Sequence, residues 1–219
     1  MCSSICIFVG CARKLALGGS RTASSVRRGH IKKRTMRDER RWTAAMAEHE
    51  TAVRAFVAAC ERVAPADWQR SPAPMKWSPA AVVLHVCRAY ELGRDAVTGG
   101  ASMRLQVSRS FAWFSRTLVL PVILATNRFP RGAAAPIEVV PDASEARLLM
   151  QDASATRLQR VADQAALALR EASRERPALR FTHAYFGPLS PHGALRLLSA
   201  HTRHHARGLA YSTGIARAG

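Results

Sequence analysis

None of the five cysteines, at 2, 6, 11, 60 and 87, forms a CxxC pair, and three of them crowd the first eleven residues. That pattern excludes a zinc ribbon and a disulfide framework, and it fits a reducing cytoplasm. No apolar run reaches the roughly 20 residues that a membrane-spanning helix needs. The strongest, FAWFSRTLVLPVILA at 111–125, is broken by Arg116 and Pro121, and residues 101–140 read as a short helix or two followed by a loop. No internal repeat and no alternating strand pattern is visible, which removes repeat and all-β architectures. Lysine is nearly missing, confined to positions 14, 32, 33 and 76, so arginine supplies almost all of the 33 basic residues that face only 15 acidic ones.

The resulting net charge of +18 is unevenly placed. Residues 1–41 hold eleven Lys or Arg against Asp38 and Glu39, a net of +9, which leaves the same +9 for the other 178 residues. A bias to arginine follows from base composition as readily as from phosphate contacts, so nucleic-acid binding is not the expectation. The opening MCSSICIFVG lacks a leading positive region, and the Arg- and Ser-rich stretch 12–35 is read as a disordered extension, or as sequence ahead of a true start at Met36, before a transit peptide. The expected organisation is a basic, disordered extension over 1–39 and one helical domain over 40–213, a length that can bury a full core.

Four amphipathic segments carry that domain. Met46, His49, Val53, Phe56 and Cys60 recur at helical spacing between Arg40 and Val63. Ser78-Pro79 offers an N-cap followed by a proline preorganised for the first helical position, and Gly99-Gly100 closes that second helix. Asp142 with Glu145 opens a third, with Leu148, Ala155, Leu158, Ala162, Ala165, Leu169 and Ala172 on one face and Pro177 beyond its end. Ser190-Pro191 repeats the cap for a fourth, running to about Arg207, while FTHAYFGPLSPHG before it reads as a connection. The prediction is an all-α four-helix bundle.

Three of the eight histidines fall within LLSAHTRHHARGL, 197–209. His201 and His205, four apart, share the helix face of Ala194, Leu198 and Leu209. Two imidazoles so placed either share a metal ion or sit as core histidines bonded to carbonyls. His85 lies in the apolar stripe of the second helix, with Val82, Ala89 and Leu92. Three inward histidines on two helices can form a three-nitrogen face around a divalent ion with positions left open. Cys87, two residues from His85, lies on the opposite side of its helix. No fourth ligand is evident, which favours an open site over a closed structural one.

The run WSPAAVVLHV, with His85 eight residues after Trp77, resembles the start of the second helix in the DinB-like, or YfiT-like, metal-dependent enzyme superfamily. THAYFGPLSPHGALRLLSAHTRHHARGL is similar to that family's closing pattern of a loop histidine, a Phe-Gly-Pro-Leu turn and a helix bearing HxxxH. The resemblance implies His85, His201 and His205 as ligands of a divalent transition metal (zinc, nickel, iron or manganese). It also implies a DinB-type bundle that often forms homodimers and a hydrolase or low-molecular-weight-thiol transferase acting on a small molecule. A non-enzymatic metal- or ligand-binding bundle is the alternative. His204 could replace His205 but is expected to point away from the apolar stripe. His183 matches the loop histidine and is expected to anchor its turn or stand behind the ligands. His192 is expected to be exposed. His49 is read as a pocket proton carrier or a packed histidine, Glu91 and Glu48 as general-base candidates without motif support. The pocket walls are expected from the first helix and from 101–140.

Overall fold

The structure, a computed structural model, describes residues 21–130 and 134–212. The chain divides into two units at Arg40, and the second, from Arg41 on, carries the core described below. Along the described residues run helices α1 (Arg21–Glu61), α2 (Pro79–Thr98), α3 (Arg109–Phe114), α4 (Leu120–Thr126), α5 (Ala143–Leu148), α6 (Gln151–Glu175) and α7 (Pro191–Ser212). A hairpin of β1 (Phe181–His183) and β2 (Gly187–Leu189) precedes the last of these. Of the expected extension over 1–39, residues 1–20 lie outside the described residues. Helix α1 is already under way at Arg21 because helicity does not require the apolar repeat, which begins only near Arg40.

The four long helices form the expected all-α bundle. Val53, Phe56 and Cys60 of α1 meet Leu84 and Cys87 of α2 and Leu158 and Ala162 of α6 in one core cluster. Trp42 and Ala45 join Leu169 of α6 and Leu195 of α7 in another. Each of the larger aliphatic and phenyl side chains among them, Val53, Phe56, Leu84, Leu158, Leu169 and Leu195, stabilises the fold by about 1.5–3 kcal/mol when fully buried.

Both serine caps form: Ser78 Oγ accepts from the Ala81 N–H at 3.3 Å and Ser190 Oγ from the Gly193 N–H at 3.1 Å. Helix α2 stops at Gly99, whose φ of 91° is a left-handed conformation that glycine adopts without penalty.

The third expected helix is two. Asp142 caps α5 as anticipated, but Leu149 and Met150 are extended and α6 starts afresh at Gln151. The break is held from outside: the Trp68 indole N–H donates to the Leu149 carbonyl at 2.8 Å, and Gln151 Nε2 donates to Cys60 O and Val63 O at 2.9 and 2.8 Å. Trp68 is only 4% exposed. Replacing it by alanine is expected to cost about 3–5 kcal/mol of stability, read as a lower urea midpoint, because the cavity counts against the variant and the Leu149 carbonyl keeps only the longer hydrogen bond from Gln69 Nε2 at 3.2 Å.

Residues 109–126 form one helical rod interrupted by a π turn at Ser115–Val119. Pro121 has no N–H to give and crowds the preceding turn, and the wider π turn absorbs both defects. The rod is seated on β2 and α7 through Leu120, Ile123, Phe186, Leu189 and Leu197.

The FTHAYFG connection contains an antiparallel hairpin with Phe181 opposite Leu189, too short for any alternation to show in the sequence. Gly187 turns it at φ 63°. Among the described residues no helix is long and apolar enough to cross a membrane.

Candidate metal centre

Helix α2 brings His85 into the core at 3% exposure, and α7 brings half-buried His201 and His205 to meet it. Among the described residues these three form a histidine group whose nitrogens all lie within 4.8 Å of one another and could hold a metal ion. His85 Nε2 and His205 Nε2 each lie 3.0 Å from His201 Nε2. Imidazoles that bind one ion at about 2.0–2.1 Å place their nitrogens at comparable mutual spacing.

The opposite edge of His85 fixes its tautomer. Its Nδ1–H donates to the Val139 carbonyl at 2.8 Å, and a carbonyl can only accept. The proton therefore sits on Nδ1 and Nε2 keeps its lone pair, the outer-sphere arrangement that orients a metal-binding histidine. Val139 is supplied by a single 3₁₀ turn, Ile137–Val139, inside the segment least legible in the sequence. Trp77 packs on the His85 ring at 4.8 Å between centroids and Phe129 on His201 at 5.7 Å, which limits ring rotation.

The electrostatics suit a cation. Burial holds the His201 and His205 pKa values well below the usual histidine range, and the neighbouring rings push the same way. Burial lowers His85 too, against the Val139 hydrogen bond. Three neutral nitrogens facing one point cannot satisfy one another. His201 Nε2 carries at most one proton, so it can donate to only one of its two neighbours, and the other contact is left without a hydrogen bond. A divalent ion removes that conflict, so the residues fit the metal that the sequence pattern implied.

The remaining histidines divide differently from expectation. His204 is half-buried, lines the same cavity and packs on Phe129 at 5.2 Å, so it does not point to solvent. His183 receives the Tyr185 N–H on Nδ1 at 3.2 Å and stacks on Phe186 at 4.8 Å, so it anchors its turn, and it lines the cavity as well. Burial pushes its pKa down to about 4. With Nδ1 accepting, the neutral ring keeps its proton on Nε2 and is a donor there.

His192 is half-buried rather than exposed, edge-on to Trp42. His49 is 1% exposed, edge-on to Tyr90, with neither ring nitrogen hydrogen-bonded, and it is not among the cavity-lining residues. Glu91 and Glu48 face Arg157 and Arg196 at 4.0 and 3.9 Å, away from the cavity lining. Arg203 ties the last helix down: it donates to Glu48 O at 2.8 Å and to Asn127 Oδ1 at 3.2 Å. Cys60 and Cys87 are buried free thiols pushed up to about 12, chiefly by burial, and are chemically quiet.

The triad lines a cavity of about 1300 Å³. The 101–140 segment supplies a wall, as expected, but among the described residues no lining residue comes from α1, whose Val53, Phe56 and Cys60 pack in the core with α2 and α6.

These rings link stability to pH. Each is a base whose folded pKa lies below its unfolded value of about 6.5, so beneath that pH the unfolded chain binds more protons and acid destabilises the fold. For His183 the window runs from the unfolded value down to about 4. His49, His85, His201 and His205 act in the same direction. The unfolding free energy of metal-free protein, followed through its urea midpoint, is expected to fall steadily from about pH 7 to 5, by up to about 1.4 kcal/mol per pH unit for each ring kept neutral. A flat midpoint over that range would mean that the folded rings accept protons freely.

A family model described as the DinB superfamily matches residues 48–208, well over half of the chain and all three clustered histidines. No curated protein matches. No solved structure matches.

Proposed function

The chain belongs to the DinB superfamily, and on that premise we propose that it is a metal-dependent enzyme of the hydrolase or low-molecular-weight-thiol S-transferase type, acting on a small molecule. The observation that carries this is the meeting of three neutral Nε2 atoms on the wall of a large cavity. His85, His201 and His205 would hold zinc, nickel, iron or manganese. When bound, such an ion supplies Lewis acidity, lowering the pKa of a coordinated water or thiol toward neutrality.

The chain's own groups do the rest. The Val139 carbonyl keeps the His85 lone pair turned to the ion, and Trp77 and Phe129 hold the rings in place. His183 offers a hydrogen-bond donor at Nε2 to a reacting oxygen rather than serving as base. The enzyme domain in this reading is 40–213, with 1–39 an extension outside it. The family pattern brings with it a homodimer, and the buried free thiols suit the cytoplasm.

The test offers metal-loaded protein a panel of low-molecular-weight thiols with electrophiles, beside esters and amides. Loss of an outer-sphere partner alone costs up to about a hundredfold in metalloenzymes, so His205→Ala is expected to lower turnover by at least about that factor. Loaded protein that turns over nothing in either panel would support a bundle that binds metal without catalysis.

A further inference from the structure

We propose that the molecule processed at this centre is large and mainly apolar, with one oxygen, nitrogen or sulfur donor at the end that meets the histidines. This rests on the metal reading above and narrows it. The cavity, at about 1300 Å³, exceeds the roughly 300–1,000 Å³ of ordinary ligand pockets. Six aromatic residues wall it: Trp77, Phe111, Phe129, Phe181, Tyr185 and Phe186. Aliphatic side chains from α2, from the 109–126 rod and from α7 fill the space between them, among them Val82, Leu92, Val119 and Leu198.

Among the described residues charge is confined to one edge. Apart from the imidazoles, the described titratable acids and bases that line the cavity are Asp67, Arg70, Lys76 and Tyr185. The first three belong to the loop between α1 and α2. Arg70 and Lys76 are exposed, and Asp67 already faces Arg70 at 3.5 Å. A polar thiol carrying several carboxylates and an ammonium group would bury charges that no described residue along the aromatic walls can pair, which is costly. An apolar body gains free energy from the same walls.

The rod 109–126 is built for this surface. Phe111, Ser115, Val119 and Ile123 line the cavity at intervals of four residues. On a regular α-helix that spacing drifts by about 40° at each step. The wider π turn at Ser115–Val119 takes back part of the drift and keeps the series on the cavity side.

Straight-chain hydroxamates from acetohydroxamate to decanohydroxamate, titrated into zinc-loaded protein, test the proposal, with n-alkanols of the same lengths on the chelated His201→Ala variant. Affinity is expected to rise by about three- to fourfold per methylene in both series. Phe111→Ser, at a position 52% exposed and so safe for folding, is expected to weaken decanohydroxamate at least about tenfold more than acetohydroxamate. A flat response to chain length in both series, or tighter binding of glutathione than of decanohydroxamate, overturns the proposal even if the hydroxamate head group binds through zinc. A chain-length response in both series with no advantage for hydroxamates on loaded protein supports the apolar cavity and removes the metal reading instead.

Discussion

Purified full-length protein is expected to carry about one divalent ion per chain, and His85→Ala, His201→Ala and His205→Ala each less than about a tenth of that. The expectation follows from the ligand count. With no fourth protein ligand in the group, each imidazole is a third of the protein's hold on the ion, and two nitrogens on a flexible remainder bind far more weakly than three on a preset face. His204→Ala and His49→Gln are the controls. His204 packs on Phe129 outside the nitrogen group and His49 sits in the core against Tyr90, so both variants should retain the metal. Elemental analysis of the six proteins, wild type included, decides the matter. Full occupancy in His201→Ala would sink the assignment, and loss of metal in His204→Ala would give that residue the role assigned to its neighbour.

What could be read in the sequence was whatever depends on local rules. The Ser78-Pro79 and Ser190-Pro191 caps are satisfied within one turn, so their residues announce the helices that follow. The four-residue spacing of His201 and His205 fixes their shared face whatever packs against it. His85 was legible because its stripe is apolar all round. The unread features depend on partners distant in the chain. Leu149 looks like one more apolar residue of a long helix until Trp68 and Gln69, about eighty residues earlier, claim its carbonyl. Val139 carries no signal at all, because its contribution is a backbone oxygen. His49 shared the stripe of a core-facing helix, and periodicity cannot tell the core of a bundle from the wall of its cavity.

Saturating zinc or nickel is expected to stabilise the chelated wild-type protein by about 4 kcal/mol at a thousandfold excess over the dissociation constant, since the folded chain presents a set that the unfolded chain does not. For a domain of this size that corresponds to a rise of about 8–16 °C in Tm. The ion joins α2 to α7 across 116 residues of sequence, so it also acts as a clip on a long loop, whose closure in the unfolded chain is entropically costly. It relieves the one N···N contact that the three neutral rings cannot turn into a hydrogen bond. His201→Ala loses the linkage, so its Tm should move by no more than about 1–2 °C on adding metal. Thermal scans of both proteins, chelated and reloaded, separate this from a general loss of packing: a packing defect lowers both curves of the variant, whereas the metal linkage closes the gap between them. Equal midpoints for loaded and chelated wild type, with metal content confirmed, would mean that the ion binds a face the folded chain does not hold ready.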